Sequence, residues 1–149
     1  MSNSKKKSTA ARIQYAALPY RVSVAFGTEI LLVTSRETKR WIIPKGWPKK
    51  RKDPWDSAAR EATEEAGVVG KIGREPIGSY LYEKRLRSGK GVVCEVHVFP
   101  LKVKRQQKSW REKGQREYAW FSLAEAAKAV GEPSLGTIIR RLVTRGGAR

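Results

Sequence analysis

The sequence predicts an α/β fold built on a mixed β-sheet with helices on both faces. Three observations carry that reading. Extended patterns run from Ile13 to Ser35 and again from Ile77 to Val103. Between them lies a stretch with helix start and stop signals, from Asp53 to Gly67. After them comes an apolar stripe of Leu135, Ile138, Ile139 and Leu142, spaced as on one face of a helix.

Taken in order, Met1 to Arg12 is basic and predicts a disordered tail ahead of one domain spanning 13–145. The tail lacks the apolar stretch of a secretory signal. From Ile13 to Phe26 a strand is predicted, with Val22, Val24 and Phe26 alternating against polar or small residues. Gly27-Thr28 reads as a turn and Glu29 to Ser35 as a second strand. Trp41 to Pro44 is a short apolar strand leading into Gly46. Asp53 suits an N-cap and Pro54 the first helical position, while Gly67 accepts the left-handed conformation that ends a helix. Ala58, Ala59, Ala62 and Ala66 let this helix lie close to a neighbour. Val68 to Gly73 and Ile77 to Arg87 read as extended. Ser88 to Gly91 makes a hairpin turn, and Val92 to Val103 returns. A last strand covers Glu117 to Phe121. Ser122 and Glu125 form a capping box for a helix that stops near Gly131, and a further amphipathic helix runs from Ser134.

Lysine and arginine total 32 against 14 acidic residues, a formal charge of +18. Such an excess points to anionic partners: a small phosphorylated substrate, and nonspecific nucleic-acid binding through the basic surface. The lone cysteine, Cys94, rules out an internal disulfide and predicts a reducing, cytoplasmic setting. No apolar run approaches the ~20 residues of a membrane span. His97 alternates in an apolar strand and reads as structural, with no pairing to Cys94 as a nucleophile.

Against this basic background, Glu61, Glu64 and Glu65 crowd onto the last half of the predicted helix. Positions i, i+3 and i+4 share a helix face, so the three carboxylates repel one another unless a cation sits among them. The helix dipole disfavours them there as well. Hard divalent ions prefer oxygen ligands, and Mg²⁺ bridges carboxylates to phosphates.

Gly46, thirteen residues, then Arg60-Glu61-Ala62-Thr63-Glu64-Glu65-Ala66-Gly67-Val68 resembles the Nudix box, G-x5-E-x7-R-E-U-x-E-E-x-G-U, where U is aliphatic. One departure stands out: the first Glu of the box is Lys52. Arg40 to Gly46 and Glu117 to Phe121 resemble the diphosphoinositol polyphosphate phosphohydrolase branch of that family. The resemblance implies an α/β/α sandwich and Mg²⁺- or Mn²⁺-dependent hydrolysis of a phosphoanhydride bond. It assigns Glu61 and Glu65 as metal ligands. Glu64 deprotonates or orients the attacking water and can share a metal. Arg60 pairs with a carboxylate, with Asp53 or Asp56 available in place of the missing Glu. The backbone carbonyl of Lys45 and, more loosely, Glu112 complete the metal set. Gly46 lets the backbone come close. Arg21, Thr34, Ser35, Arg36 and Lys45 are implied to contact substrate, with Lys84, Arg85 and Arg116 added as cations near the mouth. A second reading follows from Lys52: a weakly active or inactive domain that binds RNA or another polyanion through its charge.

Overall fold

The computed structural model describes residues 11–147, with side chains through Leu142. Residues 1–10, most of the expected tail, lie outside the described residues. The first strand already takes up Arg12.

Among the described residues eight strands form one mixed sheet: β1 (Arg12–Ser23), β2 (Gly27–Thr34), β3 (Trp41–Ile42), β4 (Lys45–Gly46), β5 (Val68–Ile72), β6 (Gly78–Arg85), β7 (Gly91–Gln106) and β8 (Tyr118–Ser122). Among the described residues three helices accompany them: α1 (Pro54–Ala66), α2 (Leu123–Ala129) and α3 (Pro133–Gly147). The main path runs β3-β2-β1-β7-β5, while β4 pairs with β1, β6 with β7 and β8 with β2. β1 and β7 run parallel, from Arg12↔Cys94 to Tyr20↔Lys102; the other pairings are antiparallel.

Alternation along the strands splits the core into two layers. Leu18, Ile30, Leu32, Val96 and Val98 face α2 and α3, where they meet Leu135, Ile138, Ile139 and Leu142. Ala17, Leu31, Val33, Phe99 and Leu101 face α1, where they meet Ala58, Ala62 and Ala66. Ile30 to Val33 are therefore buried on both faces, which is why that strand reads as a continuous apolar run. The alanine stripe brings α1 onto the sheet as expected.

Helix α1 has the predicted bounds. Gly67 ends it in the left-handed region at φ 73°, and its N–H donates to the Thr63 carbonyl. Gln106 Nε2 and the Gln107 N–H donate to the Ala66 and Gly67 carbonyls, so the end of β7 satisfies the helix C-terminus. At the other end Asp53 takes the N-cap position but makes no side-chain bond. The capping box of Ser122 and Glu125 is formed in both directions.

One local expectation fails. The turn falls at Val24 to Phe26, and Gly27 already belongs to β2. Val22, Val24 and Phe26 are exposed there, because this hairpin tip extends past the elements that cover the sheet.

Candidate active site

Four segments converge at the last half of α1: β4 with the loop that follows it, the β2–β3 connection, the second half of β6, and the loop between β7 and β8. Glu61 and Glu65, one turn apart on α1, are both buried. Gly46 of β4 lies against Glu61 so closely that a Cβ on residue 46 would come 2.3 Å from Glu61 Oε2. Only glycine permits that approach. From the loop after β4, Lys49 Nζ reaches 2.8 Å from the same oxygen. Ser57 Oγ accepts from the Lys49 N–H and ties this loop to the first turns of α1.

Arg116, on the β7–β8 loop, organises the other side. Its Nε donates to Glu112 Oε1 at 2.8 Å and its Nη1 to the Thr34 carbonyl at 3.0 Å, while Nη2 stands 3.9 Å from Glu65 Oε2. The Glu112 N–H donates to the Glu64 carbonyl, which docks this loop on α1. Glu112 is thus a half-buried partner of Arg116 beside the acidic helix.

Burial raises the Glu65 carboxyl well above the usual range; Arg116 opposes the shift, and the neighbouring Glu61 adds to it. Glu65 Oε1 is buried without a hydrogen-bond partner. Two adjacent buried carboxylates, one with an orphaned oxygen, match the donor set of a hard divalent cation. No basic residue lies in the last turn of α1, so the charge that balances these groups comes from other segments. Glu61 and Glu65, with the Lys45–Gly46 backbone alongside, are the residues that fit such an ion.

Glu64 has a partner of its own. Arg60, one turn earlier, donates to Glu64 Oε2 at 2.9 Å, so the partner of Arg60 is Glu64 rather than Asp53 or Asp56. Among the described residues no three acidic, histidine or cysteine side chains form a finished cation cage. Of the expected trio, Glu61 and Glu65 are the buried members, and Glu64 is half-buried and paired with Arg60.

A cavity of about 350 Å³ opens beside Glu65. Arg36, Arg40, Lys45, Lys84, Arg85 and Arg116 line it, together with Ser35, Tyr82 and Glu132. Burial pushes the Lys45 ammonium down to about 8, against the pull of Glu65 and Glu132. Its Nζ stands 4.8 Å from the centre of the Tyr82 ring, and the Tyr82 hydroxyl donates to buried Gln14.

Of the substrate contacts implied by resemblance, Ser35, Arg36, Lys45, Lys84, Arg85 and Arg116 line this cavity. Arg21 does not: it pairs with Glu29 at 2.8 Å and lies 3.9 Å over the Trp120 ring, near the hairpin end of β2. Five residues along the strand separate that point from Thr34, roughly 17 Å at strand rise. Thr34 is buried, and its hydroxyl accepts from the Glu117 N–H, so it anchors the loop of Arg116. Sequence reasoning passed over Gln14, Arg40, Tyr82 and Glu132 as site residues, and noted Lys49 only as part of a basic run. Alternation on β1 and β6 was the available signal for Gln14 and Tyr82; nothing local marks Glu132.

The comparisons with known proteins agree with this fold. A family model described as NUDIX domain matches residues 19–142. Nudix hydrolase 18, mitochondrial, from Arabidopsis thaliana is 30% identical over 135 residues, covering 84% of this chain and 74% of that protein. Diphosphoinositol polyphosphate phosphohydrolase 2 from Rattus norvegicus is 34% identical over 105 residues, covering 68% and 54%. The chain thus spans from about half to three quarters of these relatives. In fold it is similar to a C. elegans Ap4A hydrolase binary complex, with TM-score 0.68, 21% identity and coverage of 93% and 100%. It is also similar to the NUDIX domain of Shewanella oneidensis NrtR complexed with ADP ribose, with TM-score 0.66, 15% identity and coverage of 97% and 99%. With the box helix, its glycine loop and the sandwich around them in place, the chain belongs to the Nudix hydrolase family.

Proposed function

We propose that this protein hydrolyses a phosphoanhydride bond in a highly phosphorylated substrate, with Mg²⁺ or Mn²⁺ held by Glu61 and Glu65. The observation that carries the reading is the orphaned Glu65 oxygen at the edge of a cavity lined by six cationic side chains. When bound, the divalent ion supplies charge neutralisation for the phosphate oxygens as the anhydride bond breaks.

The chain's own residues do the rest. Arg36, Arg40, Lys84 and Arg85 draw in and orient the phosphates, the arginines through forked pairs of N–H donors. Arg116, fixed by Glu112 and Thr34, sets the position of Glu65. Glu64, steadied by Arg60, keeps its other oxygen for a water and orients or deprotonates it. The Lys45 carbonyl is a further candidate ligand, beside the glycine that lets Glu61 approach.

Diphosphoinositol polyphosphates suit the cavity better than diadenosine polyphosphates. Tyr82 is the aromatic ring among its lining residues, and the Lys45 ammonium stands over that ring where a base would stack. The lone, buried Cys94 is consistent with a reducing, cytoplasmic setting.

Hydrolysis of diphosphoinositol phosphates, diadenosine polyphosphates, nucleoside triphosphates and ADP-ribose, followed by chromatography of the products with each metal, tests this reading. Hydrolysis of the inositol compounds is expected to dominate, to vanish in Glu64→Gln and to survive in Lys52→Ala. Full activity in Glu64→Gln would remove that residue from the mechanism. A panel with no hydrolysis under either metal would leave the polyanion-binding reading in its place.

A further inference from the structure

The sheet separates two cavities. The one beside Glu65 is lined by cations, while a second, of about 240 Å³, is walled by Tyr15, Trp55, His97 and Phe99 on the other side. The pleat explains the division: Gln14 points to one side of β1 and Tyr15 to the other.

One acid in the cation-lined cavity stands apart. Glu132, in the turn between α2 and α3, is half-buried and lines the same space as Arg40, Lys45 and Tyr82. The fold fixes its place. Its carbonyl accepts from the Gly136 N–H in the first turn of α3, and a Cβ on the preceding Gly131 would stand 4.0 Å from Arg40 Nη1. The acids of the α1 site all have cationic partners: Lys49 for Glu61, Arg60 for Glu64, and Arg116 for Glu65 and Glu112. Glu37 and Glu83, which also border the cavity, are exposed. Among the described residues the Glu132 carboxylate forms neither an ion pair nor a side-chain hydrogen bond, although six cations line its cavity. Its charge still reaches the neighbouring walls. Burial lowers the Lys45 ammonium, and Glu65 and then Glu132 oppose that shift; burial raises the Tyr82 hydroxyl, and Glu132 adds to the rise.

An ionised carboxylate accepts hydrogen bonds, donates none and repels phosphate, whereas Arg40 and Lys45 donate and accept none. A phosphate in this corner would satisfy the two cations but face Glu132 charge to charge. A hydroxyl suits both kinds of neighbour, because it donates to the carboxylate and accepts from a cation. The corner therefore matches a neutral hydroxyl, with the phosphates left to Arg36, Lys84 and Arg85.

Resting on the phosphorylated substrate proposed above, we infer that Glu132 is a specificity-determining residue that binds a free hydroxyl of the substrate ring and keeps phosphate out of its corner. The preferred class is an incompletely phosphorylated diphosphoinositol, one ring hydroxyl free, over the fully phosphorylated ring.

The test is titration calorimetry on the full-length protein without metal, using inositol pentakisphosphates that differ in which ring position keeps its hydroxyl. These isomers carry the same number of phosphates, so the basic surface as a whole does not separate them. The parent is expected to favour one isomer by about tenfold, and Glu132→Gln and Glu132→Ala to shrink that preference to about twofold or less. Inositol hexakisphosphate should bind both variants more tightly than the parent. No isomer preference in the parent, or one that survives in both variants, overturns the inference. Hydrolysis of diphosphoinositol tetrakisphosphate and pentakisphosphate separates it from the reading it rests on. Isomer preference with no hydrolysis under either metal removes the hydrolytic reading alone. Hydrolysis with a preference that ignores Glu132 removes this inference alone.

Discussion

Lys49 Nζ lies 2.8 Å from Glu61 Oε2, so a lysine from the loop ahead of α1 neutralises the carboxylate assigned to the metal. Both groups are shielded, with side-chain exposures of 30% and 10%, so the attraction is less screened than at an open surface. A divalent ion on Glu61 has to displace this ammonium. Lys49→Met is therefore expected to tighten Mn²⁺ binding about tenfold, or ~1.4 kcal/mol, measured by titration calorimetry. The same substitution lowers the melting temperature of the metal-free protein, because Glu61 loses its counter-charge, and enlarges the rise caused by Mn²⁺. Equal Mn²⁺ affinity in parent and variant would show that Lys49 does not compete.

Gly67 offers a stability test that reaches the site. It holds φ at 73°, and a Cβ there would come 2.2 Å from Cε3 of Trp110. Gly67→Ala meets both the left-handed backbone cost, about 1–2 kcal/mol, and the displacement of that ring. A loss of about 2 kcal/mol or more is expected in urea unfolding. Trp110 shares its loop with Glu112 and Arg116, so hydrolysis should fall together with stability. A variant as stable as the parent would mean that the loop yields at no cost.

Cys94 gives a pH-dependent readout. It is fully buried, and that burial raises its thiol, while the Tyr82 hydroxyl opposes the shift. Raising the value disfavours the thiolate, which is the reactive form. Labelling of the native protein by a disulfide reagent at pH 8 is expected to be at least about tenfold slower than in urea. The native rate should still climb where the unfolded chain has levelled off, above about pH 8.5. Equal rates in both states would mean that the strand face under Tyr82 opens freely.

How much of this could be read from the residues in order depends on whether the signals are local. Proline at the start and glycine at the end bounded α1 correctly, and the Ser122 capping box formed as written, because each rests on a few adjacent residues. The apolar pattern of Val22, Val24 and Phe26 misled, since alternation reports a pleat and not what covers it. The resemblance of its strand implies a substrate contact for Arg21, yet strand length carries it to the far end, where it pairs with Glu29. Lys49 on Glu61, and Arg116 between Glu112 and Glu65, depend on how two loops close over α1, and no spacing within either loop encodes that closure.

The parallel seam between β1 and β7 carries an obligation for both cavities at once. Gln14 pairs across it with Val96, and Tyr15 with His97, so neighbouring residues serve opposite sides of the sheet. A shift of this seam by one position would turn the glutamine toward the cavity walled by Tyr15 and Phe99 and the tyrosine toward the cavity beside Glu65, reshaping both. Two cavities thus share one alignment, and a single-residue insertion between Tyr15 and Leu18 would be expected to disturb both together.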